Sequence, residues 1–152
     1  MTELKDIKDD VIKKGFPILL GEDICISYAH LDDALMTQGK LDPDGYYIKV
    51  DWKLRDAPLD ILEGGIAHGL AHIIWNRQSN LEVSLCDLIA YKISLKYKEL
   101  VEKEADITTV IRGYGHQLLA LLKYSEKLGY RYCKDQGLSI GELGVLLNAK
   151  KD

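Results

Sequence analysis

His68 and His72 stand four residues apart in the stretch Ala67-His68-Gly69-Leu70-Ala71-His72-Ile73-Ile74. On a helix that spacing stacks two side chains on one face. It is also the spacing with which two imidazoles bind a single metal ion. Ile61, Leu62, Ile66, Leu70, Ile73, Ile74 and Trp75 surround the pair, and a helix that is apolar all round is a buried one. A catalytic zinc ion takes three protein ligands and completes its tetrahedron with water. The chain offers Glu82, Asp87, Glu102, Glu104, Asp106 and His116 as candidates for the third.

The stretch resembles the HExxH helix of zinc metallopeptidases, most closely the AHELAHI form of compact gluzincin-like proteins. The resemblance covers this helix and, more loosely, the order of elements from Gly15 to about Leu128. It implies a zincin-like fold and a zinc site. It further implies a peptide cleft lined by the last strand before the helix, here Tyr46 to Trp52. One position departs from the pattern: Gly69 stands where the family has its catalytic glutamate.

In these families the third ligand comes from a later helix packed beside the first. The connection from Asn76 to Ser79 is short, so the next helix should run antiparallel. His72 lies about one turn from its helix end, which places its neighbour one to two turns into the following helix, at Asp87. Asp87 sits among Leu85, Cys86, Leu88, Ile89 and Ala90, and a carboxylate there is costly to bury unless paired or bound to metal. A hydrogen bond to Tyr91 or to a helix end would explain it equally well. Glu82 is accounted for by a capping box with Ser79.

Glu102-Lys103-Glu104-Ala105-Asp106 resembles the ExxAD signature that carries the third ligand in membrane-embedded gluzincin relatives. On one straight helix from Leu81 to Ala105, however, Glu102 would lie over ~20 Å beyond Asp87, so the expectation is an accidental match. His116, within Gly113-Tyr114-Gly115-His116, resembles the downstream histidine of SprT-like peptidases, and an ordinary helix histidine is the simpler expectation.

Gly69 alters the chemistry. Zinc acidifies its bound water, and the glutamate of HExxH accepts the proton. Glycine cannot, and loss of a positioned base removes a factor of about 10²–10⁴. Three explanations stand: a degenerate site kept for binding or structure, a base relocated to Glu82 or to Asp32 and Asp33, or a close approach to the helix at Gly64, Gly65 and Gly69. The first is the most economical.

The positioning elements follow from periodicity. Leu4, Ile7, Val11 and Ile12 mark a helix over residues 3–14 that Gly15 and Pro17 stop. Ile18–Leu20 and Ile24–Tyr28 read as strands, 30–45 as irregular with a turn at Asp42-Pro43-Asp44-Gly45, and Tyr46–Trp52 as the clearest strand. The histidine helix runs from near Asp56 to near Asn76, with Pro58 in its first turn. Helices over 81–105 and 107–128 follow, the latter bent at Gly113 and Gly115. Ser139 and Glu142 cap a last short helix. Leu88, Leu95, Leu118 and Leu122 are expected in the core.

Apolar residues make up 47% of the 152 and the net charge is −4, which gives no electrostatic reason to expect nucleic acid or an anionic membrane as partner. A charged N-terminus, the absence of a spanning apolar run, and three cysteines without CxxC spacing fit a reduced cytoplasmic protein. The reading is a single α+β domain over 1–152, zincin-like. A small antiparallel or mixed sheet (helix and sheet about 3–53) precedes a buried HxxxH helix and packed C-terminal helices (about 56–149).

The expected function is that of a degenerate metallopeptidase. It would hold zinc on His68, His72 and Asp87, have no catalytic residue, and bind a peptide or protein in the old cleft. An active zinc hydrolase with a relocated base is one alternative. A metal-free interaction module, self-associating if an aliphatic stripe is exposed, is the other.

Overall fold

The computed structural model describes residues 2–41, 44–78, 86, 89–130 and 137–151. It is α+β, with a three-stranded sheet in the N-terminal half and helices after it. Helix α1, Leu4–Gly15, buries Leu4, Ile7, Val11 and Ile12 as its periodicity requires. Lys8 is buried with them, and its Nζ donates to the Ile24 carbonyl at 2.8 Å.

The expected strand at Ile18–Leu20 does not form. Pro17–Leu19 is a single 3₁₀ turn, with Leu19 buried but Ile18 and Leu20 exposed. Proline removes the donor a sheet ladder would need there.

Strands β1 (Ile24–Ala29), β2 (Met36–Lys40) and β3 (Tyr46–Asp51) form one mixed sheet in the order β1-β3-β2. β1 runs parallel to β3, pairing Ile26 with Ile48. β2 runs antiparallel to it, pairing Gln38 with Ile48. β2 falls in the stretch expected to be irregular. Its neighbour β3 is the central strand and turns Tyr46, Ile48 and Val50 into the core. The open edge that the sheet presents beside the histidine helix is therefore β2, and the last strand before that helix is interior. Trp52 lies past the strand, in a 3₁₀ turn over Trp52–Leu54.

Helix α2, Leu59–Gln78, carries the histidines through the middle of the molecule, with Ile61, Leu62, Ile66, Leu70 and Ile73 all buried. It begins three residues later and ends two later than expected. The Pro58 carbonyl accepts from the Ile61 N–H at its start.

The expected unbroken helix over 81–105 is interrupted. Residues 89–93 are helical, Ser94 leaves helical geometry at φ −118° and ψ 109°, and α3 runs over Leu95–Thr109. The Ser94 side chain accepts from the Tyr97 N–H at 3.2 Å, which satisfies one of the free donors at a helix start. Leu95, expected in the core, is exposed, whereas Leu118 and Leu122 are buried. Leu88 lies outside the described residues.

A wide turn over Val110–Tyr114 bends the chain where Gly113 adopts φ 95°, a conformation that side chains with a Cβ avoid. α4, Gly115–Lys127, then returns along α2. α5, Ile140–Lys151, closes the chain. Its expected capping box is present: Glu142 N–H donates to Ser139 Oγ at 3.0 Å and Ser139 N–H to Glu142 Oε1 at 3.1 Å.

Candidate metal centre

Both histidines of α2 turn toward α3, and there the carboxylate of Glu102 meets them. Glu102 Oε2 lies 3.0 Å from His68 Nε2 and 3.3 Å from His72 Nε2, and the two Nε2 atoms are 3.1 Å apart. Zinc holds nitrogen and oxygen at about 2.0–2.1 Å, so neighbouring ligands of a tetrahedral ion stand roughly 3.3–3.4 Å apart. The triangle found here is within a few tenths of an ångström of that size. Its donor set, two imidazoles and a carboxylate, is one that catalytic zinc sites use. His68, His72 and Glu102 form a group of possible metal ligands among the described residues.

The surrounding groups fix the triangle. Asp106, one turn after Glu102 on α3, places Oδ1 at 2.8 Å from His68 Nδ1. A carboxylate oxygen only accepts, so Nδ1 carries the proton and Nε2 is the nitrogen left to bind a cation. A carboxylate behind a metal-ligating imidazole is the usual way to set that tautomer. The other oxygen of Asp106 accepts from the Leu138 N–H at 2.8 Å, and Asp106 is only 1% exposed. The Tyr91 hydroxyl donates to the remaining oxygen of Glu102, Oε1, at 2.6 Å.

The electrostatics follow from this crowding. Burial alone pushes the His68 imidazole down, but the hydrogen bonds and charges of Asp106 and Glu102 outweigh it and bring the pKa up to about 10. Burial likewise pushes Glu102 up, and the two histidines outweigh it, holding its carboxyl far below the usual range. Tyr91 is raised by burial and by the charge and hydrogen bond of Glu102. Without a metal, the cluster holds a proton in its place.

The expected pair His68 and His72 is thus brought together, and the third member is Glu102, the residue set aside on the assumption of a straight helix. The break at Ser94 removes that objection. Asp87, the expected third ligand, and Glu82 lie outside the described residues. His116 is exposed at the start of α4. Glu104 lines a cavity of about 240 Å³ between α2 and α3, together with His72, Trp75, Thr108 and Arg112. The sequence already singled out Glu102 through Glu102-Lys103-Glu104-Ala105-Asp106, and a spacing adds to that signal: Glu102 and Asp106 are four apart, as are His68 and His72. Two such pairs on packed helices can face each other.

Gly69 faces the sheet. A Cβ built there would meet Ile48 Cδ1 at 3.5 Å and Gln38 Cβ at 3.9 Å, which is ordinary contact. Gly64 is different, because its Cβ would overlap the backbone carbonyl of Gln117 on α4. Close packing therefore explains Gly64 and does not explain Gly69. Asp32 and Asp33, candidates for a relocated base, are exposed and outside the cluster.

No family model matches the chain, and neither a curated protein nor a solved structure matches it.

Proposed function

We propose that this protein binds a zinc-like divalent ion on His68, His72 and Glu102 and is a metallopeptidase-like protein without efficient peptidase chemistry. The observation that carries the reading is the convergence of two imidazole nitrogens and one carboxylate oxygen, at 3.0–3.3 Å from one another, backed by Asp106 and Tyr91. Such an ion would supply Lewis acidity and an acidified water. The chain's own part is to present Nε2 of His68 by holding its Nδ1 proton on Asp106. Gly69 has no side chain that could take a proton from that water. Tyr91 does not replace it, since a phenol with a raised pKa is a donor at neutral pH and not a base. A peptide or protein bound beside β2 is the partner this reading implies.

Metal content by mass spectrometry, on protein purified without chelators or a histidine tag, tests the reading. Near-stoichiometric zinc in the wild type, lost in His68→Ala and in Glu102→Ala, is the expected result. Zinc retained in Glu102→Ala but lost in Asp87→Ala would move the third ligand back to Asp87. Absence of metal in the wild type would overturn the reading.

If zinc is bound, Gly69→Glu is expected to introduce chelator-sensitive hydrolysis of unstructured peptides that the wild type lacks. Equal hydrolysis by the wild type would instead favour an active enzyme. One observation favours a second reading, a metal-free structural core: His68 has a carboxylate on each ring nitrogen, an arrangement that also suits an imidazolium.

A further inference from the structure

Tyr91, like Asp106, touches the ligand triangle directly from outside it. We propose that Tyr91 is a positioning residue of the metal centre. Its hydroxyl holds Oε1 of Glu102 so that the carboxylate offers the ion one oxygen, Oε2, and leaves room for a further ligand. The inference rests on the metal-binding reading above.

A carboxylate binds a cation through one oxygen or through both. In Glu102 the two oxygens have separate tasks. Oε2 faces both histidines, while Oε1 receives the Tyr91 hydroxyl at 2.6 Å. To bind through both oxygens the carboxylate would have to rotate and give up that hydrogen bond. A carboxylate oxygen only accepts, so in this contact the Tyr91 hydroxyl is the donor and Oε1 of Glu102 the acceptor. The Lys98 ammonium lies over the Tyr91 ring, 5.2 Å from its centre.

The contact depends on how the chain is folded locally. Eleven residues on a continuous helix return to nearly the same face but ~16 Å further along, beyond the combined reach of a tyrosine and a glutamate. Ser94 breaks the helix between the two residues, and across that break the Tyr91 hydroxyl reaches Glu102.

Cobalt(II) replaces zinc as a visible probe, because four-coordinate cobalt absorbs much more strongly than five- or six-coordinate cobalt. The full chain and Tyr91→Phe would each be titrated with cobalt chloride, and zinc affinity measured against a competing chelator. Phenylalanine keeps the ring and removes only the hydroxyl, and circular dichroism of the variant checks that the fold is retained.

The expected result is strong absorption at one cobalt per chain in the wild type. Tyr91→Phe should show markedly weaker absorption at the same stoichiometry, with zinc affinity lower by about 10–100-fold. An unchanged spectrum overturns the proposal, whether affinity is also unchanged or falls, since a fall alone would mean that Tyr91 only ties two segments together. A wild type that binds no cobalt and no zinc overturns the metal-binding reading itself, which distinguishes the two failures.

Discussion

His68 has Asp106 on one ring nitrogen and Glu102 on the other, so a proton and the proposed metal would compete for the same place. The two states respond to pH in opposite directions. Without metal, the His68 pKa is raised from 6.5 to about 10. Its contribution to stability is complete below pH 6.5 and is lost as pH climbs toward 10. Glu102 is held below its usual 4.5, so its contribution is present above pH 4.5 and disappears as pH falls. From this pair the metal-free protein gains most between those two values and less on the alkaline side. A metal must displace the His68 proton, so zinc stabilises more as pH rises over the same range. Urea midpoints at pH 6 and pH 9, with chelator and with zinc, should therefore show the gap between loaded and free protein widening. His68→Gln should flatten the alkaline decline of the free form. A decline equally steep in that variant would mean that other groups cause it.

Between elements, the question is why α2 carries three glycines in its buried half. Gly64 permits contact with α4, whose Gln117 carbonyl occupies the space a Cβ would need. A backbone atom cannot rotate away, so Gly64→Ala should destabilise by about 1–3 kcal/mol. Gly69 has room, and alanine there removes a mid-helix glycine, so Gly69→Ala should stabilise by about 0.5–1 kcal/mol. Denaturant unfolding of both variants checks the pair. Destabilisation by Gly69→Ala would show that α2 and the sheet pack too closely for a Cβ. The sequence made some of these elements legible and hid others for physical reasons. β3 was clear because it is central and turns Tyr46, Ile48 and Val50 inward. β2 was hidden because an edge strand reading Met-Thr-Gln-Gly-Lys has only one large apolar side chain to display. α2 and its histidines were plain from the apolar run around them. The third member of the cluster was not, because Ser94 caps a new helix inside a stretch that reads as one helix over 81–105.

Across the whole molecule, Asp106 joins the candidate site to the end of the chain. One oxygen orients His68 and the other accepts the backbone N–H of Leu138. Leu138 stands just before α5, whose Leu143 and Leu147 are buried in the common core. The seating of the C-terminal helix and the tautomer of a candidate metal ligand thus depend on one carboxylate. Two substitutions separate these roles. Asp106→Ala removes both hydrogen bonds and leaves a buried N–H without an acceptor, at a cost of about 1–3 kcal/mol. Asp106→Asn can keep the bond to Leu138 through its amide oxygen. Its NH₂ then faces His68 Nδ1, which accepts only if the imidazole moves its proton to Nε2, where it blocks the ion. The asparagine variant should therefore stay closer to wild-type stability without metal while losing zinc affinity by about 10–100-fold. The alanine variant should lose both. Urea unfolding under chelator, with zinc titration against a competing chelator, measures the two effects separately. Zinc binding as tight in Asp106→Asn as in the wild type would show that the carboxylate serves the C-terminal helix alone.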